Sequence, residues 1–256
     1  MLMLRSNFAA LCIFGLLTGP TAAQSDKPDI AEETPAYTIE ANVPDLPASE
    51  PKLTHRLRAN VAKALAQYRK DAESAKKDAE AEKFEFRQYN LTVNWHVELN
   101  HPKFLSLINY TWIYSGGAHG NSTFETLAWD RAKQAALPLS DLFEGAGAAE
   151  QARKAMRTFV IKDLLHQKAK NREVPTEGFQ DEQVTSGVTG AFPVFTLEVS
   201  DQPGKISGLR MWYPPYAVGA YAEGSFESFV PHRVFSGFLR EDLKPLFGGK
   251  SGRKAP

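Results

Sequence analysis

Between residues 53 and 72 apolar side chains return every three or four positions, at Leu53, Leu57, Val61, Leu65, Tyr68 and Ala72. That interval is the period of a helix with one buried face. Ser49 stands where an N-cap belongs, and Pro51 falls in the first turn, where its missing N–H costs little. The stripe fades into KKDAEAEK, residues 76–83, which reads as a solvated helical end. A second helix is expected from about Ala148 to Lys170, with Ala152, Met156, Phe159, Val160 and Leu164 on its buried side.

The remaining pattern is one of strands. YTIEANV, residues 37–43, alternates and ends at Pro44 and Pro47. FEFRQYNLTVNWHVEL, KFLSLINYTWIY and NSTFETLAWD follow between residues 84 and 130. The turn at His101 and Pro102 separates the first two, and the glycines at 116, 117 and 120 separate the second from the third. FPVFTLEVS, KISGLRMWY and FESFVPHRVF supply three more in the last third. These elements predict an α+β fold: an antiparallel sheet meander with two long helices packed on one face.

The N-terminus adds a location. Arg5, an apolar stretch from Phe8 to Leu17, Gly19-Pro20 and the small residues at 21–23 have the order of a cleavable secretory signal over residues 1–23. The apolar stretch is about half the roughly 20 residues a spanning helix needs, so no permanent membrane anchor is expected and the chain should be periplasmic or secreted. Residues 24–36, polar and proline-bearing, read as a flexible leader. Cys12 is the single cysteine and lies inside the signal, which removes disulfides and thiolate metal sites from the processed chain. Thirty lysines and arginines balance thirty aspartates and glutamates. A neutral chain carries no footprint for nucleic acid or anionic lipid.

Two stretches stand out chemically. In YTWIYSGGAHGN, residues 110–121, Tyr110, Trp112 and Tyr114 share one strand face, and the strand enters a loop bearing Ser115, Gly116, Gly117 and His119 before Asn121. Either the rings form a stacking platform beside ligand-facing backbone N–H groups, or they face the core above a tight hairpin. In WYPPYAVGAYAEG, residues 212–224, the prolines force an extended entry, and Tyr216 and Tyr221 offer rigid contact area at low entropy cost. The alternative there is a packed connection at the sheet edge. A phosphate loop is excluded because no Gly-Lys-Ser/Thr follows and the flanks read as strands. Ser115 precedes the glycines, so no nucleophile elbow forms. His96 and Glu98 share a strand face, but no third ligand is placed by spacing, and neither a metal nor a cofactor is expected.

YSGGAHGNSTFETLAWD with LPLSDLF, residues 114–143, and PPYAVGAYAEGSFESFVPHRVF, residues 214–235, resemble the extracellular domain shared by RsiV-type anti-sigma factors and certain envelope polysaccharide deacetylases. The upstream YTIEANVPDLP and long helix resemble the companion N-terminal domain of those proteins. The resemblance implies an N-terminal α+β subdomain of the deacetylase-associated type over residues 35–135, an RsiV C-terminal-like subdomain over 136–245 and a tail over 246–256. It implies a recognition module that binds a lysozyme-like protein or a peptidoglycan-derived fragment, with Tyr114, Ser115, Gly116, Gly117, His119, Asn121, Tyr216 and Tyr221 at the contact surface. Because no anti-sigma segment precedes the signal and no catalytic deacetylase unit is recognisable, the expectation is a soluble binder without enzymatic activity. The rival readings are an envelope hydrolase using His119 with Ser115 or a carboxylate, and a structural envelope protein.

Overall fold

The computed structural model describes residues 28–253. The signal peptide read over residues 1–23 lies outside the described residues, as do the first residues of the leader. No helix among the described residues is long and apolar enough to cross a membrane.

The α+β class, the antiparallel meander and the two long helices are all present, and they are divided between two sheets. The first has six strands in the order β1 (Ile30–Glu33), β2 (Tyr37–Asn42), β3 (Tyr89–Asn100), β4 (Phe104–Tyr114), β5 (Asn121–Asp130) and β6 (Ala135–Ala136). Helix α1 (Pro51–Glu82) carries the chain from β2 to β3, and these two strands pair in parallel, as a crossover of that length permits. All other pairs in this sheet are antiparallel.

The expected leader is structured from residue 29 on. Ile30–Glu33 forms an edge strand against β2, because Thr34 turns the chain: its hydroxyl accepts from the N–H groups of Ala36 and Tyr37. The carboxylate of Asp29 accepts from Val43 N–H at 2.7 Å, and Glu32 pairs with Arg69 of α1. One half-buried apolar residue, Ile30, was too little for the alternation to register as a strand.

The cap of α1 also differs from expectation. The N-cap is Glu50, one residue beyond Ser49, and its side chain makes no capping bond. That carboxylate, 1% exposed, instead accepts from Trp129 Nε1 at 3.0 Å and Gln134 Nε2 at 2.9 Å, with Arg131 at 3.3 Å. A buried carboxylate without such partners would be strongly destabilising. Here it pins the start of α1 to the end of β5. The stripe of α1 then packs on Ile39, Ala41, Leu91, Val93, Trp95, Leu105 and Leu107.

The second sheet holds β7 (Phe195–Val199), β8 (Ile206–Tyr213) and β9 (Phe226–Pro231), all antiparallel. Helix α2 (Gly145–Asn171) covers it through Ala152, Met156, Val160 and Leu164, while Phe159 is only partly buried. A short helix α3 (Glu182–Gly187) follows, capped by the Asp181 carboxylate on Gln183 and Val184 N–H.

The two sheets are joined through the free edge of β7. Phe195 N–H donates to Thr126 Oγ1 and Leu197 N–H to Ser106 Oγ, both at 3.0 Å. Buried backbone donors must be paired, and here hydroxyls on the face of the first sheet take the place of another strand. Residues 247–253 then cross back over the junction, with Ser251 bridging Ser200 and Gly252 N–H donating to Val199. The segment expected as a tail is therefore ordered through residue 253.

Ser106→Ala leaves the Leu197 N–H buried without its acceptor. It should lower the unfolding free energy by about 1–3 kcal/mol in urea denaturation. An unchanged midpoint would mean that the hydroxyl does not hold the two sheets together.

Candidate functional site

Strand β4 places Tyr110, Trp112 and Tyr114 on the sheet face opposite α1, since Leu105 and Leu107 occupy the helix side. All three are half-buried, lying on a sheet face instead of in a core. Tyr110 packs on Phe124 and its hydroxyl meets Ser122 Oγ at 2.7 Å. Phe124 in turn touches Trp212 of β8. Trp112 and Tyr114 lie with nearly parallel rings, 6.4 Å between centroids.

The loop after β4 folds back under these rings. Gly116 has φ +81°, a conformation open to glycine, and the Tyr114 hydroxyl donates to Gly117 O at 3.1 Å. Gly120 is pressed against the indole of Trp112, where an added Cβ would sit 2.4 Å from Cζ2. His119 is exposed, and its Nδ1 donates to Gly120 O at 2.9 Å.

The second distinctive stretch arrives at the same place. Tyr221 donates its hydroxyl proton to Gly120 O at 2.7 Å and stacks on His119, with centroids 3.9 Å apart and planes 23° apart. Tyr216 lies against Tyr221 at 5.5 Å, is 59% exposed, and has φ +71°. A left-handed tyrosine is costly unless its surroundings hold it. The structure thus brings His119, Tyr216 and Tyr221 into one patch, with Tyr114 and Gly117 at its base. Ser115 is exposed at the start of the loop. Asn121 opens β5 opposite Ile113, and its buried Oδ1 has no hydrogen-bond partner among the described residues.

A buried cation holds the second stretch in position. Lys168 is 0% exposed, and its Nζ donates to Val218 O at 2.9 Å while lying 2.8 Å from Asp181 and 3.2 Å from Glu223. Arg172, one turn on, pairs with the same two acids at 3.1 and 2.7 Å. Glu223 also accepts from Ala220 N–H, so α2, the α3 cap and the tyrosine loop share one ionic knot. Burial pushes the Asp181 carboxyl up, but the hydrogen bond and charge of Lys168, the Val184 N–H and Arg172 outweigh it and hold it below the usual range. At Glu223 burial likewise acts upward and is outweighed, by Arg172, the Ala220 N–H and Lys168. None of this was read from the sequence, although Lys168 falls four residues after Leu164 on the apolar stripe.

A second network was missed as well. Arg210 bonds Glu198 bidentately at 2.9 and 2.8 Å and Glu227 at 2.5 Å. Arg253 lies over the Trp212 ring, ion-paired to Glu98, with Glu227 at 3.7 Å and Glu198 at 3.8 Å. Glu98 is thus committed to Arg253. The bulge between Val97 and Leu99 also breaks the alternation that would align it with His96. No group of three potential ligands suited to a metal occurs among the described residues. No hydrogen bond among the described residues links His119 to Ser115 or to an acid; its ring is used against Tyr221 and Gly120.

Lys168→Met removes the fully buried cation from two partly buried acids and should cost about 3 kcal/mol, with faster amide exchange over residues 214–224. The pH dependence has a definite sign. Carboxylates with depressed folded values contribute stability above their ordinary pKa of about 4, and that stability is lost as pH falls through the folded values. The wild-type chain should therefore lose stability on acidification below about pH 4 more steeply than Lys168→Met. Equal slopes in acid titration of the melting temperature would contradict the knot.

Comparison with known proteins gives three results. Residues 30–122, from the start of β1 to the first residues of β5, match the family model described as deacetylase PdaC. A search of curated proteins finds no match. Two solved structures of DUF3298-family proteins share the fold. The one from Bacteroides fragilis NCTC 9343 is 21% identical, covering 74% of this chain and 70% of that chain with a TM-score of 0.51. The one from Pseudomonas aeruginosa PAO1 is 17% identical, covering 86% and 95%, with a TM-score of 0.55. At such identities the likeness is one of fold: this chain carries a PdaC-like region over residues 30–122 within an architecture similar to that of the two DUF3298-family proteins.

Proposed function

We propose that this chain is an exported recognition module of the cell envelope, and that its two joined loops are the contact surface for a lysozyme-like protein. The observation that carries the reading is the convergence of two sequence-distant, glycine- and tyrosine-bearing stretches into one exposed patch. His119 stacks on Tyr221, Tyr221 is bonded to Gly120, and Tyr216 stands outermost. The same two stretches carry the resemblance to the sensing domain of RsiV-type proteins, and the PdaC-like match covers the companion region.

The patch has the make-up of a protein-contact centre. Tyrosines give large area for few rotatable bonds, and the ionic knot behind Tyr221 has already met the cost of ordering the loop. Energetically dominant interface residues are commonly buried aromatics ringed by weaker contacts. Tyr216 and Tyr221 are the residues here with that character.

Calorimetry and size-exclusion co-migration of the purified chain with lysozyme test the reading. A complex is expected, and Tyr216→Ala or Tyr221→Ala should weaken it by 2 kcal/mol or more, about 30-fold. Lys77→Gln, on the exposed side of α1 across the sheet, should leave affinity unchanged. Absence of any complex with the wild-type chain defeats the proposal.

A further inference from the structure

We infer that the outward face of α1 is a membrane-docking surface, a row of cations that lies along a bilayer containing anionic phospholipid. The inference rests on reading the chain as an exported module of the cell envelope. It concerns the side of the first sheet away from Tyr110, Trp112 and Tyr114.

The even charge balance of the whole chain conceals a local imbalance. Residues 51–70 hold six cations, Lys52, Arg56, Arg58, Lys63, Arg69 and Lys70, and no acid. Arg69 is taken by Glu32, and Arg58 lies 4.0 Å from Asp45. Lys52, Arg56, Lys63 and Lys70 are exposed and form no ion pair among the described residues. Lys77 is in the same state, whereas its neighbour Lys76 pairs with Glu80. Acids return only from Asp71 on.

Helical geometry puts these five unpaired cations on one line. At about 100° per residue, Lys52, Arg56, Lys63 and Lys70 fall within about 40° of one another, with Lys77 about 20° to one side. The buried stripe from Leu53 to Ala72 lies roughly 160° away, on the side facing the sheet. Arg56, Lys63, Lys70 and Lys77 recur every seven residues, nearly two turns or about 10.5 Å apart. The row from Lys52 to Lys77 is about 38 Å long. Ala59, Ala66 and Ser74, small and exposed, fill the line between the cations, and Glu73 and Glu80 stand to one side of it.

The row does not serve the helix itself. Lys52 stands in the first turn and Glu80 and Glu82 in the last, the reverse of what the helix dipole favours. A solvated helix face commonly alternates its charges in i,i+4 pairs, and residues 51–70 offer no acid for them. Geometry then selects the ligand. Cations about 10 Å apart cannot converge on one small anion. A helix packed on the outside of a sheet is convex and has no groove to enclose a polyanionic strand. None of the large exposed apolar residues among those described lies on α1, so the face has neither the centre of a protein interface nor side chains to insert between acyl chains. A plane of anionic headgroups meets every cation of the row at once and demands no register. Each Lys or Arg at such a surface strengthens attachment about fivefold.

The test is cosedimentation of the chain from Gln24 on, which keeps both cores entire and omits the apolar stretch of residues 8–17. The vesicles are phosphatidylcholine alone, or phosphatidylcholine with about one third phosphatidylglycerol. Binding is expected only to the mixed vesicles, and it should vanish at about 1 M salt, where the screening length falls to roughly 3 Å. Lys63→Gln combined with Lys70→Gln should weaken it about 25-fold. Lys154→Gln combined with Lys162→Gln removes the same charge from exposed positions of α2 and should bind as the wild type does. No binding to the mixed vesicles, equal binding to both kinds, undiminished binding by the α1 variant or an equal loss in the α2 variant overturns the inference. Tighter binding to a single-stranded DNA oligonucleotide than to the mixed vesicles overturns it as well. A lysozyme complex without vesicle binding sinks only this face, and vesicle binding without a lysozyme complex sinks only the loop reading.

Discussion

The ammonium group of Lys168 is the constraint on which the arrangement of the loops depends. Fully enclosed, it must find its partners inside the protein, and it finds three on two separate segments: the cap of α3 at Asp181, and the tyrosine loop at the Val218 carbonyl and the Glu223 carboxylate. An isolated buried charge is too costly to persist. Each partner is thereby fixed relative to α2, and the tyrosine loop can reach Gly120 of the other sheet in one geometry. The charge adds specificity of placement more than net stability, since buried ion pairs repay little beyond their own desolvation.

Two cores divide the remaining work. Helix α1 and the six-stranded sheet enclose one; α2 and the three-stranded sheet enclose the other. Their boundary runs through β4 and β5, where Phe104 and Ala128 turn toward the second core while Leu105, Leu107 and Trp129 turn toward the first. A sheet with both faces engaged at one end leaves its other end open on one side. That open end is where the aromatic line of β4 and the joined loops lie.

Much of this layout was legible in the residues. The stripes of α1 and α2 and the alternation of β3 to β5 are strong periodic signals, and they located every long element. Weak signals failed for physical reasons. β1 buries too little to alternate, and the turn of α3 is specified by the Asp181 cap more than by apolar spacing. Lys168 and Arg210 occupy apolar positions, and a charge on an apolar stripe declares a buried partner without saying which one. The expected contact residues His119, Tyr216 and Tyr221 were chosen from two stretches far apart in sequence. Only the fold could bring them together, and only the fold shows that Glu98 is paired with Arg253.

Arg253 carries a consequence for the order in which the chain acquires its structure. Its guanidinium compensates carboxylates at Glu98, Glu198 and Glu227, which belong to both sheets and precede it by long stretches of sequence. Contacts of such separation are formed late, because the entropy of closing the loop must be met first. Until residues 247–253 dock, Glu198 and Glu227 share Arg210, and Glu98 lacks the guanidinium it pairs with. The strap thus also brings the one guanidinium that carboxylates of both sheets share, so completion of the tertiary structure is tied to the docking of residues 247–253.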